Sequence, residues 1–292
     1  MNNHLVTIKL DQVSFELREA QDFTWLKNLG TVFCVFADQD SGNLAFGVEK
    51  EGSKLFIKYA GAKTKNYEGQ VSDAIDKLKS SVPLYEELKY PGLIELSDHF
   101  EIENGYVLAF KWVNGECLHA HWTFGEYDKY THPKSAYYRY KHLPVSKRLK
   151  SLEKLFAFHK HVEEMGYLAV DFYDGSIMYD FENDITTICD IDYYHKKPII
   201  NTLGRKYWGS SRFKAPEENE LNAVIDERTN VYTMGAMAFC LLGGETDHSF
   251  EKWDASKFLY QVALHATELN PNNRYCSVRE FYSEWLHATS LS

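Results

Sequence analysis

Two aspartates, Asp190 and Asp192, close the apolar run Ile185-Thr-Thr-Ile-Cys189. In an extended chain their side chains point to the same side. Like charges that close need a cation or a lysine between them, and a hard divalent ion such as Mg²⁺ suits carboxylate oxygens. A third carboxylate, Asp171, follows Gly166-Tyr-Leu-Ala-Val170 and precedes Phe172, so it is held beside buried chain. Such a group can orient a hydroxyl and accept its proton. Lys58 lies within Leu55-Phe-Ile-Lys-Tyr59, where an unpaired ammonium is costly to bury. A lysine, metal-binding carboxylates and a carboxylate beside a hydroxyl are the parts that phosphoryl transfer uses. Each also has a plainer reading: an edge-strand lysine whose head reaches water, or an aspartate that caps a turn.

Those residues need elements to position them. Segments 31–36, 44–48 and 54–59 are β-rich and separated by the turn clusters Asp38-Gln-Asp-Ser-Gly-Asn43 and Glu51-Gly-Ser53. Val71, Ile75, Leu78, Val82 and Leu88 predict a helix over 71–89, interrupted near Pro83. Two more strands are expected at 93–96 and 106–110. Residues 119–142 are rich in His, Tyr and Trp without clear periodicity, and helical patterns then cover 145–165, 230–242, 256–268 and 277–287. A strand-rich first third ahead of a helix-rich remainder predicts an α+β protein of two lobes, 1–112 and 113–292.

The stretch Gly209-Ser-Ser-Arg-Phe-Lys-Ala-Pro-Glu217, followed by Asp226-Glu-Arg-Thr-Asn-Val-Tyr-Thr-Met-Gly235, resembles the end of the activation segment and the next core helix of the protein kinase superfamily. The likeness is to a divergent, bacterial eukaryotic-like Ser/Thr kinase and covers roughly residues 29 to 287. It implies a bilobal fold, a small β-rich N-lobe and a larger helical C-lobe, with ATP and Mg²⁺ between them. Residues 41–48 resemble a degraded glycine loop, which implies that Gly42, Phe46 and Gly47 cover the nucleotide and that Lys58 meets its phosphates. The partner acid of Lys58 falls to Glu68, with Asp73 and Asp76 as alternatives. The segment Asn104 to Glu116 resembles the fifth strand and hinge, so the backbone of Lys111, Trp112 and Val113 would face adenine. Gly166 to Asp180 resembles the catalytic loop, with Asp171 as base and Ser176 at the metal-binding Asn position. Asp190 takes the place of the metal-binding aspartate that follows, with Asp192 as a further ligand. Ser210 stands where a hydroxyl contacts the catalytic aspartate, and Glu217 is expected to pair with Arg274 of Asn270-Pro-Asn-Asn-Arg274.

The sequence also departs from that family. Ala169 and Val170 replace the His-Arg before the catalytic aspartate, so a phosphorylated segment would lack its usual cation there. Tyr173 replaces the loop lysine, Ser176 replaces Asn but keeps an oxygen, and Asn230 replaces an acid that anchors the loop. Three readings follow: a Ser/Thr protein kinase, favoured by Gly209 to Glu217; a small-molecule kinase of the aminoglycoside or choline type, with 119–142 lining a pocket; and a pseudokinase scaffold.

The formal charge of −10 argues against a general nucleic-acid binder. Five scattered cysteines without a C-x-x-C pair suggest reduced thiols, and no apolar run reaches membrane-spanning length. The expectation is a cytoplasmic protein without a membrane partner.

Overall fold

The computed structural model describes residues 5–291 and shows a mixed α+β protein. The chain divides into two compact units. One holds the residues up to Lys89 together with Ile94–Val113; the other holds Tyr90–Leu93 and everything from Asn114 onward.

The first unit is built on a five-stranded antiparallel sheet. Its strands are β3 (Thr31–Phe36), β4 (Asn43–Lys50), β5 (Ser53–Ala60), β6 (Leu96–Ile102) and β7 (Gly105–Lys111), in the order β3-β4-β5-β7-β6. A separate ribbon, β1 (Val6–Leu10) paired with β2 (Val13–Leu17), lies ahead of it and was not anticipated from sequence. The ribbon supplies Phe15 and Leu17 to a core with Phe23, Phe46, Ile57 and Tyr59. Phe15, Phe23 and Phe46 meet edge to face at 5.6–5.8 Å between centroids, a preferred aromatic geometry. The expected helix over 71–89 is two: α1 (Val71–Ser80) and α2 (Val82–Glu87). The break falls at Ser81 rather than at Pro83, because Pro83 occupies the first turn of α2, where its missing N–H costs nothing. The strand expected at 93–96 begins only at Leu96. Leu93 instead bridges Ile188 within the second unit, where the Ile188 N–H donates to the Gly92 carbonyl at 2.7 Å.

The second unit is mainly helical: α3 (Ala136–Lys141), α4 (Val145–Glu164), α5 (Glu227–Leu242), α6 (Lys257–Ala266) and α7 (Val278–Ser290). Helix α5 is buried along nearly its whole length, the pattern of a helix with neighbours all round. It starts on a reciprocal cap between Asp226 and Thr229. Phe156 of α4 packs against Phe281 and Trp285 of α7 at 4.8 and 5.0 Å. Short strands frame the loops that matter below. They are β8 (Glu116–Cys117), β9 (Tyr167–Leu168), β10 (Ile177–Asp180), β11 (Ile185–Ile188), β12 (His195–Lys196), β13 (Ile199–Ile200) and β14 (Val224–Ile225). Among the described residues no helix is long and apolar enough to cross a membrane.

Candidate active site

In the second unit the loop between β9 and β10 carries Asp171 in a left-handed conformation, φ 59°. Aspartate tolerates that region better than most residues, and such outliers persist only where the surroundings fix them. Here they do. Asn230 on α5 clasps the residue two before: its amide oxygen accepts from the Ala169 N–H at 2.8 Å, and its amide nitrogen donates to the Ala169 carbonyl at 2.7 Å. β9 pairs with β12 on one side. Gly209 packs beside the loop: a Cβ there would lie 3.7 Å from the Asp171 Cα and 3.3 Å from the Lys214 side chain. Those are ordinary to slightly tight contacts; it is the backbone, at φ 118°, that requires glycine.

Asp190 comes to the same place. Burial raises the Tyr173 and Tyr194 phenols far above their ordinary value, and the charges of Asp171 and Asp190 add to the effect at both rings. Both carboxylates therefore lie in the neighbourhood of these two rings. Tyr194 is itself held by His159, whose Nε2 accepts from the phenol at 2.7 Å while Nδ1–H donates to the Leu155 carbonyl. Burial pushes that imidazole down to about 4, so it stays neutral. Ser176 is 1% exposed, and its backbone carbonyl accepts from the Cys189 N–H at 2.9 Å, next to Asp190. Its Oγ is buried and has no hydrogen-bond partner. Oxygen donors of this kind fit a hard cation, so Asp190 and Ser176 are the residues that would hold Mg²⁺.

Asp192 departs from expectation. β11 stops at Ile188, so the premise of an extended strand through Asp192 fails. Its N–H donates to the Asp190 carboxylate at 3.3 Å within a turn, and Asp192 is 5% exposed while Asp190 is exposed. The two carboxylates therefore do not stand side by side on one strand face.

Glu217 and Arg274 form a bidentate pair at 2.7 and 3.0 Å. The Arg228, Glu268 and Leu269 carbonyls accept from the same guanidinium, and Thr229 Oγ1 donates to Glu217. A buried pair satisfied this fully anchors the segment after Ser210 to the helical core. The Ser210 carbonyl accepts from the N–H groups of Phe213 and Lys214, closing the turn that leads there.

The first unit is less obliging. Lys58 is half-buried and lies on central strand β5, between Ala45 and Leu108, not at an edge. Phe46, expected to cover a nucleotide, is fully buried in the core described above. Gly42 and Gly47 have packing reasons to be glycine. A Cβ would strike the Tyr67 ring at 2.7 Å in the first case and Cys34 Sγ at 2.5 Å in the second. Glu68 is exposed in the connection before α1, outside the helix, as the broken pattern there implied. At the expected hinge, the Lys111 N–H donates to the Glu95 carbonyl at 2.9 Å and the Trp112 N–H to the Lys54 carbonyl at 3.3 Å. Of the three backbone segments assigned to adenine, two thus have their N–H groups engaged within the sheet.

Sequence reasoning missed a second cluster. Asp174, three residues after Asp171, is 0% exposed, and five polar side chains gather round it. Arg212 donates to it at 2.7 and 3.2 Å, Lys129 at 2.5 Å, and His119 stands 3.6 Å away. Glu245 pairs with Arg212 and lies 3.7 Å from Lys129, and Tyr130 donates to Glu245 at 2.9 Å. Lys129 also sits over the Tyr137 ring at 4.2 Å. Burial alone would raise the Asp174 carboxyl, but bonds from His119 and Arg212 and the charge of Lys129 hold it well below the usual range. Asp174, Cys240 and Glu245 approach closely enough to ligate a metal. Two cations already neutralise the carboxylates, and burial pushes the Cys240 thiol well up, so the donor set does not fit a divalent ion. The aromatic stretch 119–142 thus wraps an internal ion cluster.

Compared with family models and with curated proteins, the sequence matches none, so a functional reading rests on the geometry above.

Proposed function

We propose that the protein is an ATP- and Mg²⁺-dependent phosphotransferase acting on a Ser or Thr hydroxyl of a protein. One observation carries the reading: Asp171 and Asp190 both act on the Tyr173 and Tyr194 rings, and Ser176, whose buried Oγ has no hydrogen-bond partner among the described residues, lies on the same loop as Asp171 and bonds the residue before Asp190. Asp171 orients the acceptor hydroxyl and takes its proton late in the transfer. Asp190 and Ser176 supply the oxygens for Mg²⁺. The bound ion neutralises charge on the phosphates. Lys58, in the first unit, is given to the phosphates by the resemblance alone.

A second reading, a scaffold that binds without catalysis, draws on the first unit, where Phe46 is buried and the Lys111 and Trp112 amides are engaged. Thermal melting separates the two. Millimolar Mg-ATP is expected to raise the melting temperature by several degrees, and Asp190→Ala to abolish most of that shift. A wild-type protein whose melting ignores Mg-ATP would favour the scaffold.

A further inference from the structure

From Tyr193 to Pro216 the chain carries Lys196, Lys197, Arg205, Lys206, Arg212 and Lys214 and no Asp or Glu, in a protein of formal charge −10. Four of these cations are engaged, Lys196 over the Tyr167 ring at 5.2 Å among them. Arg212 serves the Asp174 cluster, Lys214 donates to the Tyr207 carbonyl, and Lys197 pairs with Glu227. Arg205 and Lys206 are exposed and, among the described residues, form no ion pair. They lie on a short turn between Leu203 and Trp208, which are 41% and 42% exposed.

The surface beside them is apolar. In the β13–β14 ribbon, Ile199 pairs with Ile225 on the face that packs with Leu168, Val170 and Tyr207. Ile200 pairs with Val224 on the opposite face, at 46% and 56% exposure. Leu221, 64% exposed, adjoins Gly204, where a Cβ would meet its own at 3.6 Å. Trp208 extends this surface toward Tyr193, ring to ring at 5.5 Å. The same segment turns at Gly209, against Asp171.

We propose that this surface docks an acidic peptide segment with an apolar anchor, and so that the acceptor protein carries Asp or Glu near its hydroxyl. The inference rests on the phosphotransferase reading, because it is the packing of Gly209 on Asp171 that puts a docked chain next to the base. Charge complementarity selects the occupant: exposed cations here attract an anionic partner, while the rest of the molecule repels one. Exposed Ile, Leu, Val and Trp side chains favour a peptide over a nucleic acid, which would instead need cations along its backbone.

The test uses fluorescent Ser-containing peptides that share a Leu anchor and differ only in flanking Glu or Lys. Anisotropy is expected to show the acidic peptide bound at least tenfold more tightly, with affinity falling as salt rises. Arg205→Glu combined with Lys206→Glu should weaken it tenfold or more at unchanged melting temperature. Trp208→Ala, in a protein whose charge is untouched, should weaken it at high salt as well. Equal binding of the basic peptide would overturn the proposal. So would tighter binding of a single-stranded oligonucleotide or of phosphatidylserine vesicles. Binding of the acidic peptide without transfer from Mg-ATP would support the docking surface and remove the phosphotransferase reading. Transfer to the basic peptide alone would do the reverse.

Discussion

Asp171 and Asp174 are three residues apart on one loop, and the protein treats them in opposite ways. Asp174 is sealed from water and bound by Lys129 and Arg212, with His119 alongside. Asp171 is half-buried, and its companion Asp190 is exposed. A carboxylate with two resident cations has its charge met inside the fold and holds segments together. Asp171 and Asp190 are less buried than Asp174, so solvent, and whatever it carries, can reach them. Glu218 shows a third treatment. It is 5% exposed and accepts from the Ala215 N–H at 2.7 Å; burial pushes its carboxyl up to about 8, with Glu217 and Asp171 adding to the rise. It keeps a proton where Asp174 keeps a cation.

The largest expected effect tests Asp171. Asp171→Ala should lower kcat by roughly 10²–10⁴-fold, the usual contribution of a positioned acid or base, while the Mg-ATP melting shift survives. Unchanged turnover would place Asp171 with the structural acids. Next, Arg212→Met should cost about 3–5 kcal/mol of stability, the penalty for stranding a buried charge, measured by urea unfolding. A loss no larger than that of an exposed ion pair would erase the contrast between the two aspartates. The third test concerns pH. Folded Glu218 titrates near 8 against an ordinary 4.5, so between those values the folded state binds more protons than the unfolded one. Stability therefore falls as pH rises through that window. Glu218→Gln cannot lose a proton, so its melting temperature should gain on wild type from pH 5 to pH 9. A gap that stays constant across the range would show that Glu218 is ionised in the fold.

The motifs that could be read were those in which local sequence repeats a structural task. The Glu217–Arg274 pair was legible across 57 residues because each partner sits in its own motif. Helices α4, α5, α6 and α7 lie within a few residues of the helical patterns, whereas α3 falls in the stretch without periodicity. The Asp174 cluster was not legible, since His119, Lys129, Asp174, Arg212 and Glu245 share no spacing, and only tertiary packing brings them together. In the first unit Gly42 and Gly47 carry a second reason to be glycine that sequence alone does not show. Gly42 and Gly47 are excluded from bearing a side chain by Tyr67, Cys34 and Phe33, and such close packing leaves the same mark in a sequence as a phosphate-binding turn. The β1–β2 ribbon did leave a signal, the alternation Val6, Ile8, Leu10 and Val13, Phe15, Leu17 around Asp11-Gln12.

The clasp between Asn230 and Ala169 has an implication for how this chain can vary. One side chain serves both a backbone donor and a backbone acceptor of a single residue, and a carboxamide carries both complements on separate atoms, which an ionised carboxylate does not. A carboxylate there would turn a lone pair toward the Ala169 carbonyl. Asn230→Asp would thus loosen the loop by removing the donor to the Ala169 carbonyl. The partner is the backbone of residue 169, so the clasp constrains position 230 and leaves the side chain at 169 open to any residue but proline.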